Sequence, residues 1–219
     1  MGYKIKHPIR CLLNSGGALL SIGGVTFLMC RAIQKGSLWH VVSFAVYGIS
    51  LIALFTMSAL YHSLNVMPRT TNILRRVDHA MIYLLIAGTY TPVCLVVLRG
   101  AWGWSLFGIV WGLAILGIVL KLSLGNPPRP LVYMLFSFFM IMGWVVVFAW
   151  LPLTRALDPA ALGWLLAGGI FYTVGAMILN IKCLNFVPGF GAHEIWHLFV
   201  VAGSFSHFWL MFRYILNMT

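Results

Sequence analysis

Apolar residues run along this chain in seven blocks of helix length, at about 10–30, 38–63, 74–98, 103–123, 130–151, 160–181 and 193–216. A hydrocarbon slab roughly 30 Å thick takes about 20 residues of helix at 1.5 Å rise, so each block predicts one membrane-spanning helix. The blocks are continuous and do not alternate every second residue, as a lipid-facing barrel strand would. Polar or helix-breaking clusters divide them: Arg31 to Lys35, Met67 to Arg76, Gly125 to Pro130, and Pro188-Gly-Phe-Gly191, which opens the last block. No internal repeat or low-complexity tract is visible.

Composition agrees with this pattern. Of 219 residues, 62% are hydrophobic and 8% charged, and the mean hydropathy is +0.98, which describes an integral membrane protein with no room for a separate soluble domain. The expectation is an all-α, polytopic seven-transmembrane-helix bundle in the cell membrane, a single domain over 1–219. The first block follows Lys4, Lys6 and Arg10 as a secretory signal would. Its length of about 20 apolar residues, without a small-x-small cleavage site before Arg31, reads instead as a retained span.

Fourteen Lys and Arg against three acids give a formal net charge of +11. These basic residues mark span ends and form no single stripe, so they read as topology signals beside anionic headgroups and not as a nucleic-acid surface. Seven spans put Lys4, Lys6, Arg10, Arg69, Arg75, Arg76, Lys121, Arg129 and Lys182 on one side and Arg31, Lys35, Arg99, Arg155 and Arg213 on the other. That bias predicts the amino terminus inside and the carboxy terminus outside. Cys11, Cys30, Cys94 and Cys183 form no CxxC pair and point neither to a disulfide framework nor to a thiolate zinc site. Gly108-x-x-x-Gly112, Gly16-Gly17 and Gly23-Gly24 read as helix-packing positions, and Pro92 should bend the third span.

Against this background a few polar residues stand out. His193-Glu194-Ile195-Trp196-His197 places two imidazoles one helical turn apart, a spacing at which a helix can offer two nitrogens to one zinc ion. His62 ends the second block and Asp78 begins the third, so chain threading brings all four side chains to the same side of the bilayer. Three His with Asp78, bound directly or through water, suit Zn²⁺ and leave a position open for chemistry. Ser58, four residues before His62, falls on the same helix face. The segment also reads HExxH, but Glu194 lies about 100° around the helix from His193 and no soluble catalytic domain surrounds it, which argues against a zincin. His79 can pair locally beside Asp78. His207 lies about 15 Å along the helix from His197, too deep for the same set of ligands.

Ser58-Ala-Leu-Tyr-His62, the run from Asp78-His-Ala-Met-Ile-Tyr to Gly88-Thr-Tyr-Thr-Pro92, and His193-Glu-Ile-Trp-His197 resemble the hemolysin III family, a branch of the progestin and adipoQ receptor superfamily. The resemblance covers essentially the whole chain. It implies a seven-helix bundle with zinc near the cytoplasmic face on His62, His193 and His197, and with Asp78 and Ser58 around the metal's water. The superfamily is also similar to alkaline ceramidases, which implies hydrolysis of a lipid amide. The long amino-terminal domain of the receptor members has no counterpart here.

Two functions follow as expectations: a zinc-dependent intramembrane hydrolase of a ceramide-like amide or ester, with Asp78 and Ser58 catalytic, or a non-enzymatic sensor of membrane state with structural zinc. Membrane lipids are the partners in both, with a lipid substrate or acyl chain inside the bundle and no nucleic acid. Cytolysis ranks last as a mechanism, because the chain lacks the switchable amphipathic segments of a soluble pore former. Three acids are too few for a proton relay at the membrane midplane, which counts against a transporter.

Overall fold

The computed structural model describes residues 5–124, 128–179 and 190–218. Lys4, Lys182, Cys183, the 125–127 stretch and Pro188 lie outside them. Eight helices follow in order: α1 (Pro8–Lys35), α2 (Leu38–Ser63), α3 (Pro68–Pro92), α4 (Ala101–Ser123), α5 (Arg129–Trp144), α6 (Trp150–Ala156), α7 (Pro159–Leu179) and α8 (Ala192–Arg213). A π turn over Val93–Val97 extends α3, and a 3-10 turn over Val145–Ala149 joins α5 to α6 in one span. Seven segments are long and apolar enough to cross a membrane, and the protein is a seven-helix, multi-pass membrane protein.

Helices adjacent in sequence are neighbours in space, and α8 returns to pack on α1, closing a ring. The third span lies inside that ring: 78% of its apolar window is buried, against 22–28% for the first, fourth, fifth and sixth spans, whose other faces meet lipid. The core joins Phe44, Tyr47 and Phe55 of α2 to Tyr83 of α3, Val110 of α4, and Leu210 and Met211 of α8.

Helix ends depart from the hydrophobic blocks in an instructive way. The Met67–Arg76 separator is helical from Pro68, with Thr71 N–H donating to Met67 O at 3.0 Å. Proline suits the first helical position, and the charged turn stands beyond the apolar slab where hydropathy cannot register it. At the other end of α1, Gly36 closes the helix at φ 74°, a left-handed conformation that glycine adopts without steric cost, and donates its N–H to Ile33 O.

Pro92 was expected to bend its helix. It removes one backbone donor, and the π turn follows at once, with Leu98 N–H reaching Val93 O at 2.9 Å. The fifth span is interrupted as well, and there a side chain repairs the backbone: Tyr90 O–H donates to Gly143 O at 2.7 Å and accepts Val146 N–H at 2.8 Å. The glycine reading divides. Gly17 and Gly24 face Phe55 and Phe208 closely, whereas a Cβ on Gly16, Gly23, Gly108 or Gly112 would meet nothing within 4 Å among the described residues, so these look outward. The GxxxG pair of α4 is therefore not a packing seam within this chain.

Candidate metal centre

The end of α2 and the start of α8 meet at the end of the bundle where α1 begins. Here His62, His193 and His197 bring one ring nitrogen each to within 4.8 Å of one another. His62 is 1% exposed and His197 5%. The His62 and His197 Nε2 atoms stand 3.2 Å apart. Two nitrogens at about 2.0–2.1 Å from one ion at a tetrahedral angle would be about 3.3 Å apart, so this pair has the spacing a shared metal needs. His62 Nδ1 is buried without a hydrogen-bond partner among the described residues. Three converging imidazoles, His62 and His197 buried and His193 partly so, with His62 Nδ1 lacking a partner among the described residues, suit a cation of the zinc type, and the residues present fit such an ion.

Local structure explains why these side chains hold their places. As the last turn of α2 ends, its carbonyls lose their helical partners. His7 N–H donates to His62 O at 3.0 Å and Lys6 N–H to Ser63 O at 3.4 Å, so the segment before α1 is stitched to the turn that carries His62. Burial, then the charges of Arg10 and Lys6, hold the His7 imidazole below its ordinary pKa. At the start of α8, Glu194 Oε2 accepts Gly191 N–H at 2.9 Å, which caps the turn between His193 and His197. The other carboxylate oxygen, Oε1, takes Arg10 Nε at 2.5 Å. Glu194 is thus committed to its own helix and to α1, and the HExxH string does not place a free carboxylate beside the triad.

Asp78 lies outside the set of three converging nitrogens. It lines the wall of an adjoining cavity together with Ser58, His79, His193 and His197, and its carboxyl has the Ser58 side chain as a hydrogen-bonding neighbour. The cavity holds about 330 Å³ and runs between α2, α3, α5, α7 and α8 as far as Leu165, Tyr172 and His207. Its deeper walls are chiefly aliphatic and aromatic. His207 sits at that far end with Nε2 3.3 Å from Leu165 O, away from the triad, as helical rise requires.

Two residues of this neighbourhood escaped the sequence reading. Arg10 was counted only as a topology signal, and Asn14 was passed over. Asn14 is 1% exposed and its Nδ2 lies 3.1 Å from His197 Nδ1. An asparagine within an apolar block was the available signal, since an amide in hydrocarbon needs a partner.

Comparison with known proteins agrees with the motif reading. A family model described as "Haemolysin-III related" matches residues 4–208. The chain is 40% identical to Hemolysin-3 of Bacillus cereus over 97% of its own length and 93% of that protein, and 39% identical to the Hemolysin-3 homolog of Bacillus subtilis (strain 168) over 97% and 96%. A more distant likeness, 27% identity over 81% of this chain and 72% of the relative, links it to the human monocyte to macrophage differentiation factor. With a whole-chain family match, near relatives at 40% identity and three motif-bearing helices meeting at one end of the bundle, the protein belongs to the hemolysin III family.

Proposed function

We propose that this protein is a zinc-dependent intramembrane hydrolase of a lipid amide or ester, with its site at the cytoplasmic end of the bundle. The observation that carries the reading is the junction of a buried His triad with an apolar cavity whose wall presents Asp78 and Ser58. A cavity of this size, greasy along its length and polar at one end, suits an acyl chain whose carbonyl reaches the polar end. His62, His193 and His197 would hold the ion. When bound, zinc would supply Lewis acidity toward the carbonyl oxygen and bring the ionisation of a water into the neutral range.

The chain's own groups supply the remainder. Asp78 accepts the proton that the attacking water gives up and returns it to the leaving nitrogen or oxygen, so that acid and amine or alcohol are the products. The Ser58 hydroxyl orients the Asp78 carboxyl by hydrogen bonding. The aliphatic and aromatic walls align the acyl chain and exclude bulk water. Full-length protein purified with zinc should release fatty acid from one member of a panel of amide- and ester-linked lipids, and Asp78→Ala should not. No release from any lipid, where a ceramidase control is active, overturns the hydrolase reading.

One observation favours a second reading. The triad joins α2 to α8 without a ligand atom from Asp78, so an ion there would also pin two helices and couple bundle shape to membrane state. If His197→Ala abolishes zinc binding and leaves a membrane-lipid phenotype of the cell unchanged, that sensor role fails.

A further inference from the structure

The start of α1 and the residue before it touch the metal centre at three points: the backbone N–H of His7, and the side chains of Arg10 and Asn14, which lie one turn apart on one helix face. Their partners are the backbone of His62, the carboxylate of Glu194, and the ring of His197. Two of these contacts hold elements in place. The third acts on a ring nitrogen of a candidate ligand.

Asn14 Nδ2 donates to Arg10 O at 2.8 Å and faces His197 Nδ1 at 3.1 Å. An amide nitrogen is a donor only, so His197 Nδ1 accepts and the ring proton sits on Nε2, directed at His62 Nε2 3.2 Å away. Without an ion this network leaves one donor over, because His62 then carries its proton on Nδ1, which has no partner among the described residues. His197 is in the wrong tautomer for holding an ion through Nε2, where the lone pair must be free and the proton carried on Nδ1. The loaded ring then needs an acceptor where Asn14 now shows a donor. Turning the amide over about its Cβ–Cγ bond supplies one if the side chain also draws off Arg10 O: Oδ1 then takes the place of Nδ2 toward His197, and two acceptors, Oδ1 and Arg10 O, do not stay 2.8 Å apart. Arg10 O still receives the α1 backbone N–H one turn on, so the turned amide orphans no carbonyl.

We propose that Asn14 is a positioning residue of the metal centre: its amide fixes the His197 ring, and it turns over on metal binding so that Oδ1 accepts the Nδ1–H proton. This inference rests on the metal reading of the triad. It makes α1, which contributes no ligand, part of the machinery that sets affinity.

The test uses the full-length protein in lipid nanodiscs with Zn²⁺ or Co²⁺ as probe. Affinity is measured by chelator competition, and melting temperature is measured without metal, for wild type, Asn14→Leu and Asn14→Asp. Asn14→Leu should bind about ten- to a hundredfold more weakly, the loss typical of a removed partner to a ligating His. Its metal-free melting temperature should fall only by what the two lost Asn14 contacts cost, and Asn14→Asp, a permanent acceptor, should bind more tightly than Asn14→Leu. Affinity of Asn14→Leu within about twofold of wild type overturns the proposal. So does an Asn14→Asp variant that binds no more tightly than Asn14→Leu. Should Asn14→Leu fail to fold, ¹⁵N-histidine spectra of the wild type decide, since the His197 proton should move from Nε2 to Nδ1 on loading and an unchanged tautomer overturns the idea. Absence of ion uptake by wild type defeats the metal reading and this one together, whereas uptake with an indifferent Asn14→Leu defeats this one alone.

Discussion

Arg10 and Glu194 are 184 positions apart in sequence and meet through a 2.5 Å contact between Nε and Oε1, with Glu194 only 6% exposed along its side chain. The pair fastens the first helix of the ring to the last at the level of the His triad. Removing one partner leaves a buried charge uncompensated, which is the expensive way to break such a pair.

Arg10→Met should therefore destabilise the bundle by about 3 kcal/mol, and Arg10→Met with Glu194→Gln should recover part of that loss. Unfolding midpoints in a denaturing-detergent titration check it. Equal midpoints for wild type and Arg10→Met would show that the contact contributes nothing.

Metal content should separate ligands from neighbours. Alanine at His62, His193 or His197 should each abolish bound zinc, while Asp78→Ala, outside the converging set, should keep it and lose turnover. Elemental analysis of purified protein beside fatty-acid release measures both. Loss of zinc in Asp78→Ala would make the carboxylate a direct ligand.

Tyr90→Phe should destabilise the fifth span. One hydroxyl serves both Gly143 O and Val146 N–H where the helix narrows to a 3-10 turn, and the loss of both bonds within the membrane should cost about 1–3 kcal/mol. Faster amide exchange at Val146, followed by mass spectrometry, is the local sign.

Adjacent glycines should respond oppositely. A Cβ on Gly17 would come within 2.6 Å of the buried Phe55 ring, so Gly17→Ala should cost about 1–3 kcal/mol, whereas Gly16→Ala meets open space and should lie within about 0.5 kcal/mol of wild type. Thermal melts of the two variants test which face of α1 looks inward.

The number of spans and the meeting of His62, His193 and His197 were legible in the chain, because membrane thickness fixes helix length and alternating direction fixes which ends coincide. Asp78 was expected to converge with the three His, directly or through water, and it lines the adjoining cavity outside the converging nitrogens; the two arrangements need the same residue types, so the chain alone leaves its distance open. The helical turn from Pro68 was hidden by its charges. The Gly108 and Gly112 pair gave a packing signal that its lipid-facing position does not use, since spacing alone does not tell the inner face of α4 from the outer. The contacts of Arg10 and Asn14 depend on α8 closing against α1, a pairing of the chain's first and last spans that no local pattern encodes.

The backbone bonds from residues 6 and 7 to residues 62 and 63 have a practical consequence for anyone producing this protein. A purification handle fused directly ahead of this stretch loads the segment that secures the His62 turn, and an imidazole-rich handle adds competing ligands near the triad. The opposite end of the chain, near Leu216 and Lys35 at the far end of the bundle from the triad, is the safer place for a label.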